Sequence, residues 1–360
     1  MSRAKKHHQV PQFYLRSFAD QKERVEVYDR VTRKAFRQQV ANVAVESNLY
    51  TVRDAAGEPS DAMEARLAQF EGLLSRRHAG LLAASPSLDD EDRAAVAAFV
   101  ALQFVRTSAK REWLEDILDL EVRMLTEGNV GGDPPEAVER FIKTRFGDQP
   151  DWLKDEVRAV AADPTRRVAL PTEEWVAGFA PLVLHVMDEL LTRTWWLATA
   201  GERAFLTCDD PVTLIAWPGD PVGGVGIRTA MQILLPLAPD RVLVFEGERP
   251  GPFTVVPKER DWIRWANRSV ASRATRQVFW HPKSSPMDGI QIPPAPRPTS
   301  INGIPIHRGQ RSWDLIRERQ VPAMHRVRDR IRAAHHVRDA GSDPLPAVLE
   351  ASGIGQEPPT

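Results

Sequence analysis

Residues 94–105 read AAVAAFVALQFV, and this stretch decides the class of fold. Every position except Gln103 is apolar, so a helix over these residues has no face left for water. Such a helix must lie inside the molecule, with other elements packed around it. The sequence therefore predicts a central layer of helices.

Helical patterns surround this stretch from about residue 61 to residue 193. The first helix begins at Asp61 and Glu64, which are spaced as in a capping box. A second helix is predicted to run without a break from about Asp90 to about Glu127, where Gly128 ends it. Three further helices are predicted over residues 135–146, 151–162 and 172–193.

Short strands flank the helical layer at both ends of the sequence. Residues 24–28 and 35–40 alternate around a turn, and later runs such as 195–199, 204–208 and 241–245 are also typical of strands. This order indicates an α+β fold, with a small antiparallel sheet built from N-terminal and C-terminal strands. We predict that residues 1–281 form one domain.

The remainder of the chain differs in composition. We predict a proline-rich linker at 282–311, a basic helical segment at 312–340 and a disordered tail at 341–360. The formal net charge is −1, so no overall field attracts nucleic acid or a membrane. Residues 175–187, the most apolar stretch, are too few to span a bilayer, and no secretory signal opens the chain. We therefore expect a cytoplasmic protein without a membrane partner.

The densest polar signal is His7-His8-Gln9-Val10-Pro11, followed by an apolar run that ends at Phe18. Neutral imidazole is a common metal ligand and a general base near neutral pH. We predict both histidines as catalytic residues and His8 as a metal ligand. Neighbouring side chains point in different directions, so one of the two faces any site. A structural interpretation stays open, in which a histidine hydrogen-bonds to a helix N-terminus.

A second signal is the end of a predicted strand, Phe205-Leu-Thr-Cys208-Asp209-Asp210-Pro211-Val212. Two carboxylates at a strand end suit acid–base work or a divalent cation. We predict Asp209 and Asp210 as catalytic, and Asp209 as the second metal ligand. The alternative is a tight turn, because Asp-Pro is a frequent turn dipeptide. Cys208 is the chain's single cysteine, which excludes a disulfide framework, and the adjacent carboxylates disfavour a nucleophilic thiolate.

A third signal is Gln103 with Arg106, which share one face of the buried helix. A buried arginine needs an anionic partner. The candidates are Asp209, Asp210, Glu64 and Glu71. Arg106 is predicted as catalytic, with a structural ion pair as the alternative. Gln103 and Asn267 are predicted to bind substrate.

In this order, these clusters resemble the domain of unknown function 4238 family. The family pattern opens with a His-His pair, a Pro and a Phe-Tyr-Leu run ending in Phe, as in residues 7–18. Its later elements are Gln and Arg three apart, a strand ending in an acid and Pro-Val, a Pro-Leu-x-Pro element and an Asn, matched by Gln103 and Arg106, 205–212, 236–239 and Asn267. The resemblance covers about residues 5–281, brings no known activity, and implies that these distant polar positions form one site.

Two functions of different classes follow from these residues. The first is a metal-assisted hydrolase acting on a phosphoester, including nucleic acid. Its cofactor is a divalent metal ion held by the histidine and aspartate pairs, while Arg106 steadies the phosphate charge and the basic tail adds nucleic-acid contacts. The alternative is a non-enzymatic binding or regulatory module, of stress response or phage defence, in which the same residues form a structural polar network.

Overall fold

The structure, a computed structural model, describes residues 6–54, 56–127, 135–163, 166–217, 225–292, 300–301 and 304–305. No helix in these ranges is long and apolar enough to cross a membrane. The predicted basic segment and tail, 312–340 and 341–360, lie outside the described residues, as does most of the predicted linker. The single domain predicted over residues 1–281 stays a prediction.

The helical layer predicted around residues 61–193 is confirmed. The described helices are α1 Gln12–Arg16, α2 Ala62–Leu81, α3 Asp90–Val105, α4 Ser108–Glu127, α5 Pro135–Phe146, α6 Asp151–Ala162, α7 Thr172–Ala177, α8 Phe179–Leu191 and α9 Arg260–Arg273. The apolar stretch that predicted this layer lies on α3. Every residue of α3 from Ala95 to Val105 is buried, and α8 packs along it.

The predicted continuous helix from Asp90 to Glu127 is wrong, because it breaks between Val105 and Ser108. Arg106 follows α3, and its side chain bonds to the Glu71 carboxylate and to the backbone carbonyl of His8. The hydroxyl of Thr107 accepts a hydrogen bond from the backbone N–H of Lys110 at 3.3 Å, at the start of α4. Polar contacts at two residues therefore end one helix and begin the next.

The capping box predicted at the start of α2 is also wrong. Asp61 precedes the helix, but its side chain makes no capping hydrogen bond. It accepts one from the hydroxyl of Thr51 at 2.9 Å instead. Glu64 accepts a hydrogen bond from the backbone N–H of His8 at 3.4 Å. Both carboxylates thus connect α2 to the N-terminal segment, which is what places them near the candidate site.

The described strands are β1 Lys6–His8, β2 Arg24–Asp29, β3 Lys34–Gln39, β4 Val45–Ser47, β5 Val52–Arg53, β6 Pro59–Ser60, β7 Thr194–Thr199, β8 Thr207–Cys208, β9 Thr213–Ile215, β10 Gln232–Ala238, β11 Arg241–Glu246, β12 Thr254–Pro257, β13 Gln277–Trp280, β14 Ser300–Ile301 and β15 Ile304–Pro305. One antiparallel sheet has the order β3-β2-β13-β8. Because β2 and β3 are N-terminal and β8 and β13 are C-terminal, the predicted composite sheet is confirmed.

A second sheet has five strands in the order β12-β7-β11-β10-β9. Its pairs are antiparallel except for β12 with β7, which is parallel. Helix α9 packs against β8 of the first sheet and β9 of the second. Two-stranded sheets complete the described part, and one of them, β1 with β4, sets His7 opposite Glu46.

Candidate functional site

The two adjacent histidines lie on strand β1, so their side chains point to opposite sides. His7 faces the core and is fully buried. Its Nδ1 accepts the backbone N–H of Tyr50 at 2.9 Å, and its ring stacks on the Tyr50 ring at 5.6 Å. Its Nε2 lies 3.4 Å from Oδ1 of Asp61. These contacts place His7 in the packing behind the site.

His8 faces the other way and lines a cleft of about 410 Å³ between α1 and α2. The residues around the cleft are His8, Gln12, Phe13, Arg16, Glu64, Ala68, Glu71, Gly72 and Ser75. On α2 the lining positions recur every three to four residues and so share one face. Ala68 and Gly72 are small, which leaves the space between the polar side chains.

Two side chains of this cleft carry buried polar atoms that have no hydrogen-bond partner, Nε2 of His8 and Oε2 of Glu64. Burial lowers the pKa of His8, because a charged imidazolium loses its hydration. Burial also raises the pKa of Glu64, for the same reason applied to a carboxylate. Both shifts favour the neutral form of the side chain.

Arg106 lies directly behind the cleft and is 1% exposed. Its guanidinium forms an ion pair with Glu71 and donates to the backbone carbonyl of His8. Its Nε donates to the Tyr50 hydroxyl at 3.2 Å, and that hydroxyl donates to the backbone carbonyl of Arg106 at 2.8 Å. Glu71 is therefore the anionic partner among the four predicted, and Arg106 fixes two residues of the cleft.

Two pKa values report on this buried network. Burial by itself lowers the pKa of Arg106, but its contacts with Tyr50 and Glu71 outweigh burial and raise that pKa. Burial raises the pKa of Tyr50 to about 12. The arginine is thus charged and the tyrosine neutral at any pH at which the protein is used.

Gln103 lies one turn before Arg106, and it holds the same N-terminal segment. Its Nε2 donates to the backbone carbonyl of Gln9 at 2.9 Å, while its Oε1 is buried without a hydrogen-bond partner. The side chain of Gln9 accepts in turn from the backbone N–H of Ser108 at 3.1 Å. Gln103 therefore bonds to the chain next to His8.

Asp209 and its neighbours form a different cluster, at the end of β8. The Asp209 carboxylate accepts the backbone N–H groups of Thr275, Arg276 and Gln277 at 2.8, 2.7 and 2.9 Å. Burial raises the pKa of Asp209 to about 6, although these three N–H groups oppose the shift. Asp209 thus fixes the connection between α9 and β13.

Asp210 forms an ion pair with Arg273, with Oδ2 and Nε 2.6 Å apart. Its Oδ1 accepts from the hydroxyl of Thr107 at 3.3 Å, and Thr107 directly follows Arg106. The Cys208 thiol is buried and donates to the backbone carbonyl of Asp210 at 3.2 Å. Burial, followed by the adjacent carboxylates, raises the pKa of Cys208 well above its usual value, so the thiol is not activated.

Asn267 lies on α9 and is also buried. Its Nδ2 donates to the backbone carbonyl of Ala204 at 2.7 Å, and its Oδ1 accepts the backbone N–H of Leu206 at 3.2 Å. The nitrogen and the oxygen of the Asn267 amide both bond to the segment that leads into β8.

The predicted residues thus fall into two groups. His8, Gln103 and Arg106 meet around the cleft, with His7 behind it, whereas Asp209, Asp210 and Asn267 meet around α9 and β8. None of the hydrogen bonds or ion pairs of Asp209 in the described chain involves His8. The described residues include no group of three or more His, Cys, Asp or Glu that could hold a metal ion. A metal ion shared by His8 and Asp209 stays a prediction.

Sequence reasoning did not assign Glu64 or Glu71 to a catalytic site. The sequence predicts Glu64 as a helix cap and predicts Glu64 and Glu71 as two of the four candidate partners for Arg106. A signal was present, because Glu64, Ala68, Glu71 and Gly72 place acids and small residues on one face of α2. Acids beside small residues on a helix face indicate an opening as readily as a solvated surface.

Residues 6–284 match the family described as "Protein of unknown function (DUF4238)". This match covers most of the 360 residues, so the chain belongs to that family, as the resemblance predicted. No curated protein and no solved structure matches the chain.

Proposed function

We propose that the protein is a hydrolase that acts on a phosphoester, with its acid–base centre at His8 and Glu64. The observation that carries the proposal is that two residues lining one cleft, His8 and Glu64, each have a buried polar atom without a hydrogen-bond partner. Buried polar groups are normally bonded, so two unpartnered atoms in a cleft support a ligand there. As the sequence predicts, we assign the reaction to the cytoplasm.

Each residue has a role that its environment supports. His8 is neutral near pH 7 because burial lowers its pKa, so Nε2 can accept a proton from an attacking water. Glu64 retains its proton to higher pH because burial raises its pKa, so it can protonate a leaving oxygen. Arg106 is a positioning residue, because it binds the backbone of His8 and the carboxylate of Glu71.

The charge of the cleft favours a cation between protein and phosphoester. Glu64 and Glu71 line the cleft, and Arg106 offsets the charge of Glu71. Arg16 is bonded to Glu23 at 3.1 Å. Little positive charge is left for a phosphate, so we propose a divalent ion of the Mg²⁺ type, which is held by few protein ligands and several waters. When bound, such an ion polarises the phosphoryl oxygen.

Its proposed protein ligand is Oε2 of Glu64, because Mg²⁺ prefers oxygen ligands and Nε2 of His8 must stay free to accept the proton. Glu64 takes the place that the sequence analysis gave to Asp209, because the Asp209 carboxylate is already bonded to three backbone N–H groups. A protonated Glu64 does not bind a cation well, so metal binding and acid function alternate on this carboxylate.

The test is turnover by the purified full chain with Mg²⁺ or Mn²⁺ on bis(p-nitrophenyl) phosphate and on single-stranded oligonucleotides. We expect His8→Gln and Glu64→Gln each to lower turnover by about 100-fold or more, because each removes one acid–base group. His185→Gln on α8 and the exposed Glu58→Gln are the matched controls and should keep full activity. Absence of turnover with either ion, or equal turnover in all four variants, contradicts the proposal.

A second candidate is a non-enzymatic binding or regulatory module. It is favoured by Gln103, Arg106, Asp209 and Asn267, whose polar groups bond to the protein itself. For a module of this kind, we expect no turnover from the unchanged chain or from any of the four glutamine variants. The ligand of the cleft would then be identified by binding measurements. Isothermal titration with Mg²⁺ separates the two, because the hydrolase requires Mg²⁺ binding that Glu64→Gln abolishes and His8→Gln retains.

A further inference from the structure

One face of helix α9 carries three arginines at four-residue intervals, Arg260, Arg264 and Arg268. All three side chains are exposed. Residues four apart lie on one face of a helix, and successive arginines rise about 6 Å along the axis. The three side chains therefore form a basic row along one side of α9, the arginine row.

The charge of the arginine row is not neutralised within the described chain. Neighbouring arginines are paired, since Arg273 lies 2.6 Å from Asp210 and Arg276 lies 2.8 Å from Asp29. No carboxylate of a described residue forms such a pair with any member of the row. Asp261, the acid in the first turn of α9, is the helix's single carboxylate. A row of exposed, unpaired cations attracts an anionic partner.

The middle of the row lies against a loop. Gly289 has φ 71°, and a Cβ at this position would lie 2.7 Å from Nη2 of Arg264. The glycine therefore provides both the left-handed backbone and the space beside the guanidinium. This close approach restricts the rotamers of Arg264, so less entropy is lost when the side chain binds a ligand.

The opposite face of α9 argues against a membrane surface as the anionic partner. Ala266, Val270 and Ala271 are buried, and α9 packs on β8 and β9. A helix that binds a membrane surface inserts an apolar face between lipids, and the apolar face of α9 is already covered by protein. Arginine also matches phosphate with two parallel hydrogen bonds.

We propose that the arginine row binds the phosphodiester backbone of a nucleic acid. The formal net charge of −1 means that such binding must come from a local feature of this kind. Contacts to phosphates carry no sequence information, so the binding is independent of base sequence. It does not rest on the proposed hydrolysis, because it is a property of α9 and is measured without turnover.

The test is fluorescence anisotropy with the full chain and labelled single-stranded and double-stranded 20-mers at several salt concentrations. We compare the triple variant Arg260→Gln, Arg264→Gln, Arg268→Gln with a control triple variant, Arg33→Gln, Arg140→Gln, Arg249→Gln. The control removes the same charge from exposed positions elsewhere. We expect α9 substitution to weaken binding about 10-fold or more and to flatten the salt slope by about two to three, one phosphate for each arginine.

The control variant should bind nearly as well as the unchanged chain. Equal weakening of both triple variants indicates bulk charge alone and overturns the proposal, as does the absence of binding by the unchanged chain at about 50 mM salt. Binding to vesicles of anionic lipid that needs the row, without binding to either 20-mer, overturns it in favour of a membrane. His8→Gln should bind like the unchanged chain, so failure of the hydrolase does not affect this result.

Discussion

The guanidinium of Arg106 is buried with three groups bonded around it, Glu71, Tyr50 and the backbone of His8. Removing one member of a buried ion pair leaves the other charge without compensation. We expect Arg106→Met to lower the free energy of unfolding by about 3–5 kcal/mol, measured by urea denaturation. Arg77→Met is the comparison. Arg77 pairs with Glu91 and Asp92, both pairs are partly exposed, and their loss should cost about 1 kcal/mol.

Equal effects of Arg106→Met and Arg77→Met would show that Arg106 is not a structural centre. Sequence reasoning came close at this residue. The need of a buried arginine for an acid follows from its chemistry, and Glu71 was among the four predicted partners. The choice between them could not be made, because it depends on how α2 packs against α3, and helix spacing alone does not determine that packing.

His78 makes the stability of the protein depend on pH. It is buried among Phe13, Tyr14 and Phe99, and burial lowers its pKa from 6.5 to about 4. The unfolded chain therefore takes up this proton first as the pH falls, and stability is lost from about pH 6.5 downward. We expect the free energy of unfolding of the unchanged chain, minus that of His78→Leu, to fall by about 2 kcal/mol when the pH is lowered from 7.5 to 5.

Urea denaturation at both pH values measures this difference in free energy of unfolding. Phe245→Leu on β11 is the control, because its ring contact is with Trp195 and not with His78, so its effect should not change with pH. Taking differences between variants matters, because Asp209 acts in the opposite direction. Its pKa is raised from 3.8 to about 6, so its contribution is present below pH 3.8 and is lost as the pH rises towards 6. If the difference in free energy of unfolding between the unchanged chain and His78→Leu is the same at both pH values, the imidazole of His78 is not buried in its neutral form.

Among the elements, α9 is hydrogen-bonded to the segment before β8 through the side chain of Asn267. Asn267 bonds to the carbonyl of Ala204 and to the N–H of Leu206. Asn267→Ala leaves both buried backbone groups unsatisfied, so we expect unfolding to become easier by about 1–3 kcal/mol. Ser269→Ala on the same helix is the control, because the Ser269 hydroxyl bonds within α9, to the carbonyl of Trp265. Urea denaturation measures both, and faster hydrogen exchange at the Leu206 amide should accompany the first.

A normal Leu206 exchange rate in Asn267→Ala would show that water or another group replaces the asparagine. The elements themselves differ in how well the sequence predicts them. The α3 helix follows from its apolar composition, which excludes any exposed face. The break at Arg106 does not, because helical spacing continues through it and the cause is a set of bonds to distant segments. Strands β9 and β12 are short, and their pairing is set by neighbours far along the chain.

In the whole molecule, β13 completes the sheet that joins N-terminal and C-terminal strands. It lies between β2 and β8 and pairs with both. We expect a chain ending at residue 275 to lack a cooperative urea transition, because β2 and β8 lose their shared neighbour. A chain ending at residue 292 should unfold at the same midpoint as the full chain. A lowered midpoint in the longer truncation would contradict the predicted single domain over residues 1–281.

The composite sheet could be predicted because strands occur near both ends of the domain and need partners. The division into two sheets could not, because the apolar patterns of β7, β10 and β11 fit either sheet equally well. His8 lines the cleft, whereas the aspartate pair lies with α9. The sequence could not predict this separation, because a single sequence does not show which polar clusters meet.

The pairing of β2 with β13 also constrains how the protein is made. Asp29 faces Gln277, so about 250 residues separate the two partners. At a synthesis rate of about 5–20 residues per second, roughly 10–50 s pass between the emergence of the two strands from the ribosome. During that time one edge of β2 has no partner and can pair with another nascent chain. Fewer ribosomes on each mRNA keep nascent chains farther apart. Expression under weak translation initiation, or with more chaperone, should therefore raise the yield of soluble protein.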